Sequence, residues 1–444
     1  MLYGVILAGG MGKRLWPESN ERTPKPFLCR SGGISLIEET IQHLAGLIPP
    51  NRIIISTSDL FVEQTRCLIH DEEIDILSEP VSRNTAAAVA LAALRVEARD
   101  SNATMVVFPS DAFVGNVQEL HQIIETAALL IKEDNNRLIT IGIPPKGPET
   151  GYGYIKAVTP LKTLVNLDHL TFPPLKADFF CEKPTLQRAS EYLFEGGFYW
   201  NAGIFVWKAA NILNLVSQYL PETAEVLSRR NSISQNAEEI FRKLFYSLPF
   251  IPIDKAVLEK VSSERNPEIV LLPAPFAWSD LGTYEELTDL GTYDKDSFGN
   301  RSVGTQTVAE DSSDNIIRVS GFRPIKVALA GINKLLIVFH NDTLLVVPQK
   351  KTKLIQMLSE NKSVISSENN VSDPSIHLRA VNASNNIVRL SGSVIPKQSF
   401  TVALGEVNDL LVIIDQRFLF ILTRDKECLL PELKERIERS LDLE

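Results

Sequence analysis

Between residues 3 and 110, short apolar runs alternate with stretches of helical periodicity, and only a few architectures accept that order. YGVILA (3–8), RIIIST (52–57) and TMVVFP (104–109) have the composition of buried strands. ISLIEETIQHLAGL (34–47) is amphipathic, and NTAAAVALAALRVEARD (84–100) is rich in strong helix formers, with Asn84 or Thr85 able to cap its start. The alternation predicts βαβ units, and hence an α/β domain with a Rossmann-like, mostly parallel sheet. Such sheets bind ligands at the C-terminal ends of their strands, where this chain places Gly9, Ser110 and Asp111.

From 137 to 300 the mixture continues, with strand-like RLITIGI, YGYIKAV, ADFFCEK, AGIFVW and EIVLLP. This reads as the same domain extended to hold a second ligand. GTYDKDSFGN (291–300) has the Gly, Asp, Ser and Asn content of a boundary. Beyond it the chain is β-rich and repeats itself: DNIIRVSG (314–321) resembles NNIVRLSG (385–392), and VALAGINKLLIVFHNDTLLVV (327–347) resembles VALGEVNDLLVIIDQRFLFIL (402–422). The offset grows from 71 to 75 residues, so the second copy carries about four extra residues. The expected domains are a catalytic one over 1–290, a first β-rich copy over 291–358, and a second over 359–444 with a polar linker (359–375) and a terminal helix.

Composition excludes several classes. The four cysteines, Cys29, Cys67, Cys181 and Cys428, form no CxxC pair, which argues against a zinc site or a disulfide framework. A net charge of −10 argues against a general nucleic-acid surface, so any phosphate must be met by a local basic site. No apolar run is long enough for a membrane helix and the start lacks signal-peptide features, so a cytoplasmic protein is expected.

The local basic site is legible directly after the first strand, in GGMGKRLWPESNERTPKP (9–26). Backbone N–H groups around Gly9, Gly10 and Gly12 can hold phosphate oxygens. The spacing is neither the GxGxxG dinucleotide fingerprint nor GxxxxGK[ST]. Pro24 and Pro26 are expected to hold Lys25 on a stiff extended segment, and Lys25 with Arg14 suits a chain of phosphates whose charge grows during reaction. A plain glycine turn with solvated charges is the competing reading.

GGMGKRLWPESNERTPKPFL resembles the signature of nucleotide-sugar pyrophosphorylases, which transfer a nucleotidyl group from an NTP to a sugar 1-phosphate. Six further segments match in order: EPVSRNTAAAVALAAL (79–94), FPSDAFV (108–114), TGYGYIKA (150–157), CEKP (181–184), WNAGIFVWKA (200–209) and FAWSDLGTYEEL (276–287). The first of these resembles the segment typical of bacterial mannose-1-phosphate guanylyltransferases. The resemblance covers roughly 3–345.

The resemblance implies a two-substrate site. Asp111 and Asp280 would hold Mg²⁺, although an Asp after a strand is also an ordinary turn or cap residue. Arg14 and Lys25 would stabilise the triphosphate and the leaving pyrophosphate. Arg83, Asn84 and Thr85, with the loop glycines, would take the GTP purine nucleotide; Asn84 as a plain N-cap is the alternative. Lys183 would meet the sugar phosphate and Glu182 a sugar hydroxyl, their side chains expected to leave the strand end in opposite directions; a surface ion pair is the alternative. Asn201 and Gly153 would complete the sugar site. Trp200, Trp207 and Trp278 read as core aromatics. Ala112 and Pro26 depart from the family pattern beside the phosphates. Only His340 and His377 follow residue 300, which argues against a cupin-type isomerase domain. GDP-mannose synthesis from GTP and mannose 1-phosphate is the expected activity, with the same chemistry on another sugar 1-phosphate or NTP, or a noncatalytic nucleotide-sugar-binding subunit, as rivals. The duplicated region is expected to pack on the catalytic domain or form a homodimer.

Overall fold

The apolar runs become strands almost residue for residue. In the computed structural model, β1 (Leu2–Leu7), β2 (Ile53–Ser58), β3 (Asp75–Glu79) and β4 (Thr104–Pro109) are parallel neighbours in the order β3-β2-β1-β4. The structure describes all residues except 11, 31–32, 230–236, 291–294, 323, 361–370, 373–375, 391–399, 416 and 440–444. Helices α1 (Leu36–Leu44), α2 (Val62–Leu68), α3 (Asn84–Arg99) and α4 (Val117–Glu133) connect or flank these strands. Ser35 and Glu38 form a capping box at the start of α1, and Asn116 caps α4. Ala86, Ala87, Ala90, Ala92 and Ala93 of α3 are buried in one core with Tyr3, Val5, Met105 and Val107; small side chains let the helix lie close on the sheet.

The sheet continues with β6 (Leu138–Ile143), β7 (Tyr154–Pro160), β8 (Leu175–Cys181), β9 (Phe198–Lys208) and β10 (Ile269–Pro273), in the full order β3-β2-β1-β4-β9-β6-β10-β8-β7. β9 runs antiparallel between β4 and β6, and β8 runs antiparallel to β10 and β7; the other strands share one direction. A separate ribbon pairs β5 (Phe113–Val114) with β11 (Trp278–Ser279). This α/β body is one compact unit, residues 1–9 and 35–280.

Residues 10–34 and 281–444 form a second unit. The division therefore falls after Asp280 rather than at 291–300, of which 291–294 lie outside the described residues, and it groups the glycine-loop segment with the C-terminal region. The strands of this unit are β12 (Arg301–Val303), β13 (Thr307–Glu310), β14 (Ile316–Ser320), β15 (Lys326–Ala330), β16 (Leu335–His340) and β17 (Thr343–Pro348) in the first copy. The second copy has β18 (Val371–Ser372), β19 (Ile376–Val381), β20 (Ile387–Leu390), β21 (Phe400–Gly405), β22 (Leu410–Ile414) and β23 (Phe418–Thr423), and a helix at Leu430–Arg439 ends it. The linker 359–375 falls mostly outside the described residues.

The two copies are not successive modules. One sheet has the order β12-β14-β16-β17-β21-β19 and the other β13-β15-β23-β22-β20-β18, so each copy lends strands to both. β17 pairs with β21 of the second copy, and β15 pairs with β23. Buried asparagines hold the turns in both copies: Asn315 accepts from Leu335 N–H and donates to Ile332 O, and Asn386 does the same with Leu410 and Val407. The spacing from asparagine to partner is 20 residues in the first copy and 24 in the second, which is where the four extra residues fall. Among the described residues no helix is long and apolar enough to cross a membrane.

Candidate active site

At the C-terminal edge of the parallel strands, Ala8 N–H donates to Ser56 O (2.8 Å) and Ser110 N–H to Leu7 O (3.3 Å), so the chain after β1 and β4 leaves from one edge. A Cβ built on Gly9 would lie 3.4 Å from Ser82 Oγ, which puts the 80–84 segment beside Gly9. Asn84 has φ +65°, a left-handed conformation costly for a non-glycine residue and often kept at functional sites. It does not cap α3 in the ordinary way: its Oδ1 accepts from the adjacent Thr85 N–H (2.8 Å). Thr85 Oγ1 accepts from Ile253 N–H (2.9 Å), and Ala86 N–H donates to Ile251 O (3.2 Å). Two N–H groups at the start of α3, those of Thr85 and Ala86, are thus bonded within the protein, and Thr85 serves as a tie to the 251–253 segment. Arg83 Nε is buried without a hydrogen-bond partner.

Glu79, at the end of β3, was not among the expected site residues. It is buried, accepts from Ser56 Oγ (2.9 Å), and burial pushes its carboxyl up to about 7 against the lowering effect of that hydroxyl. Its signal in the sequence is its place at a strand end in a matched segment.

The β5–β11 ribbon delivers the two aspartates. Ser279 is paired with Phe113 and Trp278 with Val114, so Asp280 and Asp111 leave the same end of one antiparallel ladder. Asp280 Oδ1 accepts from Tyr152 OH (2.9 Å), and Tyr152 is held edge-on by Trp200 and Trp278, at 5.0 and 5.5 Å. Two tryptophans expected as core aromatics thus act through Tyr152 on a site residue. Two carboxylates at one ribbon end are hard oxygen donors of the kind Mg²⁺ takes. Among the described residues no three His, Cys, Asp or Glu side chains gather as a metal cluster.

Gly153, Glu182 and Asn201 meet where β7, β8 and β9 run together. Asn201 N–H donates to Gly153 O (2.8 Å), and a Cβ on Gly153 would stand 2.8 Å from Glu182 Oε2. A side chain at 153 would have to displace the Glu182 carboxylate, the movable end of that side chain. Lys183 has φ +49°, which turns its side chain back: its Nζ lies 3.1 Å from Glu182 Oε1 rather than pointing away from it. Lys183 remains 60% exposed and able to swing to a phosphate. Asn201 is already engaged, accepting from Thr140 Oγ1 (3.1 Å) and Gly203 N–H (3.2 Å) and donating to Asp254 Oδ1 (2.7 Å). Asp254 opens a π-helical turn (Asp254–Leu258); burial, then the nearby Glu182 charge, push its carboxyl up to about 7, while Asn201 and Lys183 oppose. Glu259 accepts from Glu182 N–H (2.7 Å). Neither Asp254 nor Glu259 was expected, because nothing in a helical stretch about 70 residues away announces contact with CEKP.

Arg14 and Lys25 lie in the second unit. Arg14 is exposed on a short turn, Lys13–Leu15. Lys25 is buried and begins a 3₁₀ turn, Lys25–Phe27, so the segment is not extended as expected; Pro26 fits the turn because its second residue needs no N–H donor. Gly12, at φ +63°, leaves room for it, since a Cβ there would clash with Lys25 Cβ. Ser19 Oγ donates to Gly12 O and Leu15 N–H donates to the same carbonyl, closing the loop on itself.

An α/β sheet with a glycine-rich stretch after its first strand and two aspartates at one ribbon end fits a nucleotidyltransferase, and the chain belongs to the Nucleotidyl transferase family, which it matches over residues 3–297. Among curated proteins it is 33% identical over 372 residues to a mannose-1-phosphate guanylyltransferase of Klebsiella pneumoniae, covering 82% of this chain and 75% of that one. It is 30% identical over 369 residues to mannose-1-phosphate guanylyltransferase ManC of Salmonella typhimurium, covering 81% and 72%. Among solved structures it resembles that of mannose-1-phosphate geranyltransferase from Thermus thermophilus, with a TM-score of 0.68 and 28% identity over 81% of this chain and 98% of that one.

Proposed function

We propose that this protein is a mannose-1-phosphate guanylyltransferase that converts GTP and mannose 1-phosphate to GDP-mannose and pyrophosphate. The observation that carries this reading is similarity over four-fifths of the chain to enzymes named for that reaction, with the two aspartates on one ribbon end. A phosphate oxygen of the sugar phosphate attacks the α-phosphorus of GTP. The new O–Pα bond forms as the bond from Pα to the bridging oxygen breaks, and pyrophosphate leaves with that electron pair. The attacking monoester has a second pKa near ~6 and is already a dianion at neutral pH, so no side chain has to take a proton. Asp111 and Asp280 would hold Mg²⁺, which supplies charge neutralisation at the α-phosphate and the attacking group.

Arg14, Lys25 and the backbone at Gly9, Gly10 and Gly12 bind the triphosphate and the departing charge. Arg83, Asn84 and Thr85 bind or support the purine nucleotide. Lys183 swings from Glu182 to the sugar phosphate, which frees Glu182 for a sugar hydroxyl beside Gly153 and Asn201. The test is turnover with each NTP and each sugar 1-phosphate in the presence of Mg²⁺, read as pyrophosphate release. GTP with mannose 1-phosphate is expected to have the highest kcat/KM, and Asp280→Asn to lower kcat by about a hundredfold or more. Preference for UTP or dTTP with a glucose phosphate would overturn the guanylyl assignment.

A further inference from the structure

Glu18 lies in the loop that carries Arg14 and Lys25, between the two of them in sequence. It pairs with Arg318 of β14 through two hydrogen bonds, Nε to Oε2 at 2.9 Å and Nη2 to Oε1 at 3.3 Å, with side-chain exposures of 4% and 3%. The same guanidinium donates to Cys29 O at 3.4 Å and stands 5.9 Å from the ring of Tyr284. Tyr284 is itself buried; its OH donates to Leu15 O (2.7 Å) and accepts from Glu18 N–H (3.4 Å). Three points of the loop, Leu15, Glu18 and Cys29, are therefore held by two residues of the 281–444 region. A fourth hold comes from the second copy, where the Arg379 guanidinium lies 5.5 Å from the ring of Trp16.

The duplication shows that this arrangement is not a requirement of the β-rich fold. Arg389 occupies in the second copy the place of Arg318 in the first, yet it is 56% exposed and, among the described residues, pairs with the exposed Glu427 at 3.6 Å. The repeat tolerates this arginine as a solvated residue; only where the loop packs is it buried against a carboxylate. A buried ion pair is also a poor device for stability, because desolvating both charges cancels most of their attraction, whereas its directional bonds set one register. We propose that Arg318, with Tyr284, is a positioning residue: through Glu18 it holds the loop so that Arg14 and Lys25 meet the triphosphate in one geometry. The β-rich region is then part of the nucleotidyl-transfer apparatus rather than an appendage to it. This rests on reading residues 9–26 as the triphosphate loop.

The test compares the full-length protein with Glu18→Gln, Arg318→Met, Arg318→Lys and Arg389→Met. The readouts are kcat, KM for each substrate, and hydrogen–deuterium exchange of the peptide spanning 12–30. Arg318→Met and Glu18→Gln are expected to lower kcat by about tenfold or more with KM for the sugar phosphate within about twofold, because misplacing a charge costs rate rather than sugar binding. Arg318→Lys should recover part of the loss, Arg389→Met should match the wild type, and exchange in 12–30 should rise only in the first two variants. Turnover within about twofold of wild type for Glu18→Gln and Arg318→Met overturns the proposal. So does an equal loss in Arg389→Met. If Arg318→Met does not fold, the near-isosteric Glu18→Gln decides by the same criteria. If the wild type turns over no NTP with any sugar phosphate, the reading of the loop fails, and the anchoring stands or falls on the exchange measurement alone.

Discussion

A buried carboxylate behaves differently from an exposed one, and Glu79 gives a pH signature. Its folded-state pKa, about 7, lies above the ordinary 4.5. Between those values the folded protein holds a proton that the unfolded chain releases, so stability falls as pH rises through that window and levels off above it. Glu79→Gln keeps the contact with Ser56 Oγ and removes the buried charge. It is expected to raise the unfolding free energy at pH 8 by on the order of 3 kcal/mol at most, seen as a higher Tm, and to leave Tm nearly unchanged at pH 4.5. A melting curve of the variant that tracks the wild type at both pH values would show that Glu79 is not carrying a buried charge. The residue scale also shows what motif reading captures. Asp111, Asp280, Gly153 and Glu182 stood in matched segments, and the structure sets the two aspartates at one ribbon end and Gly153 beside Glu182. Asp254, Glu259 and the hold of Tyr152 on Asp280 were not legible, because each depends on a partner between 53 and 128 residues away in the chain.

At the scale of elements, periodicity and composition were enough for most strands and the alanine-rich helix, whose edges fall within a residue or two of the apolar runs, although β9 begins at Phe198, four residues before AGIFVW. Local geometry within them was less legible. Pro24-Lys25-Pro26 reads as extended chain, but the segment is a turn with Gly12 packed against Lys25. In the repeat, Asn315 and Asn386 fill the same structural place, each fully buried and each satisfying one backbone donor and one carbonyl. Replacing Asn315 by Ala would leave the buried Ile332 O and the part-buried Leu335 N–H without these partners, a loss of roughly 1–3 kcal/mol. Asn386→Ala should cost a similar amount, and chemical denaturation of both variants would check the equivalence. A loss below about 0.5 kcal/mol in either would mean that water replaces the side chain.

For the whole molecule, the exchange of strands between copies makes a sharp expectation. A chain ending at Leu358 would keep β15 and β17 but lose β23 and β21, their sheet neighbours, and would expose Val327, Leu329, Leu344 and Val346 of a core shared by both copies. It should therefore aggregate or melt well below the full-length protein in a thermal unfolding scan. A soluble 1–358 chain with unchanged Tm would show that the first copy folds alone. Sequence by itself determined the alternation of strands and helices, the order of the motifs, the family they resemble and the existence of a duplication, since all of these are written in local periodicity and spacing. Only the tertiary structure decided that the copies interleave, that residues 10–34 pack with the C-terminal region, and that Arg318 rather than Arg389 is buried against Glu18. Those outcomes depend on which distant surfaces exclude water together, and two similar eight-residue segments carry no information about that until the chain has folded.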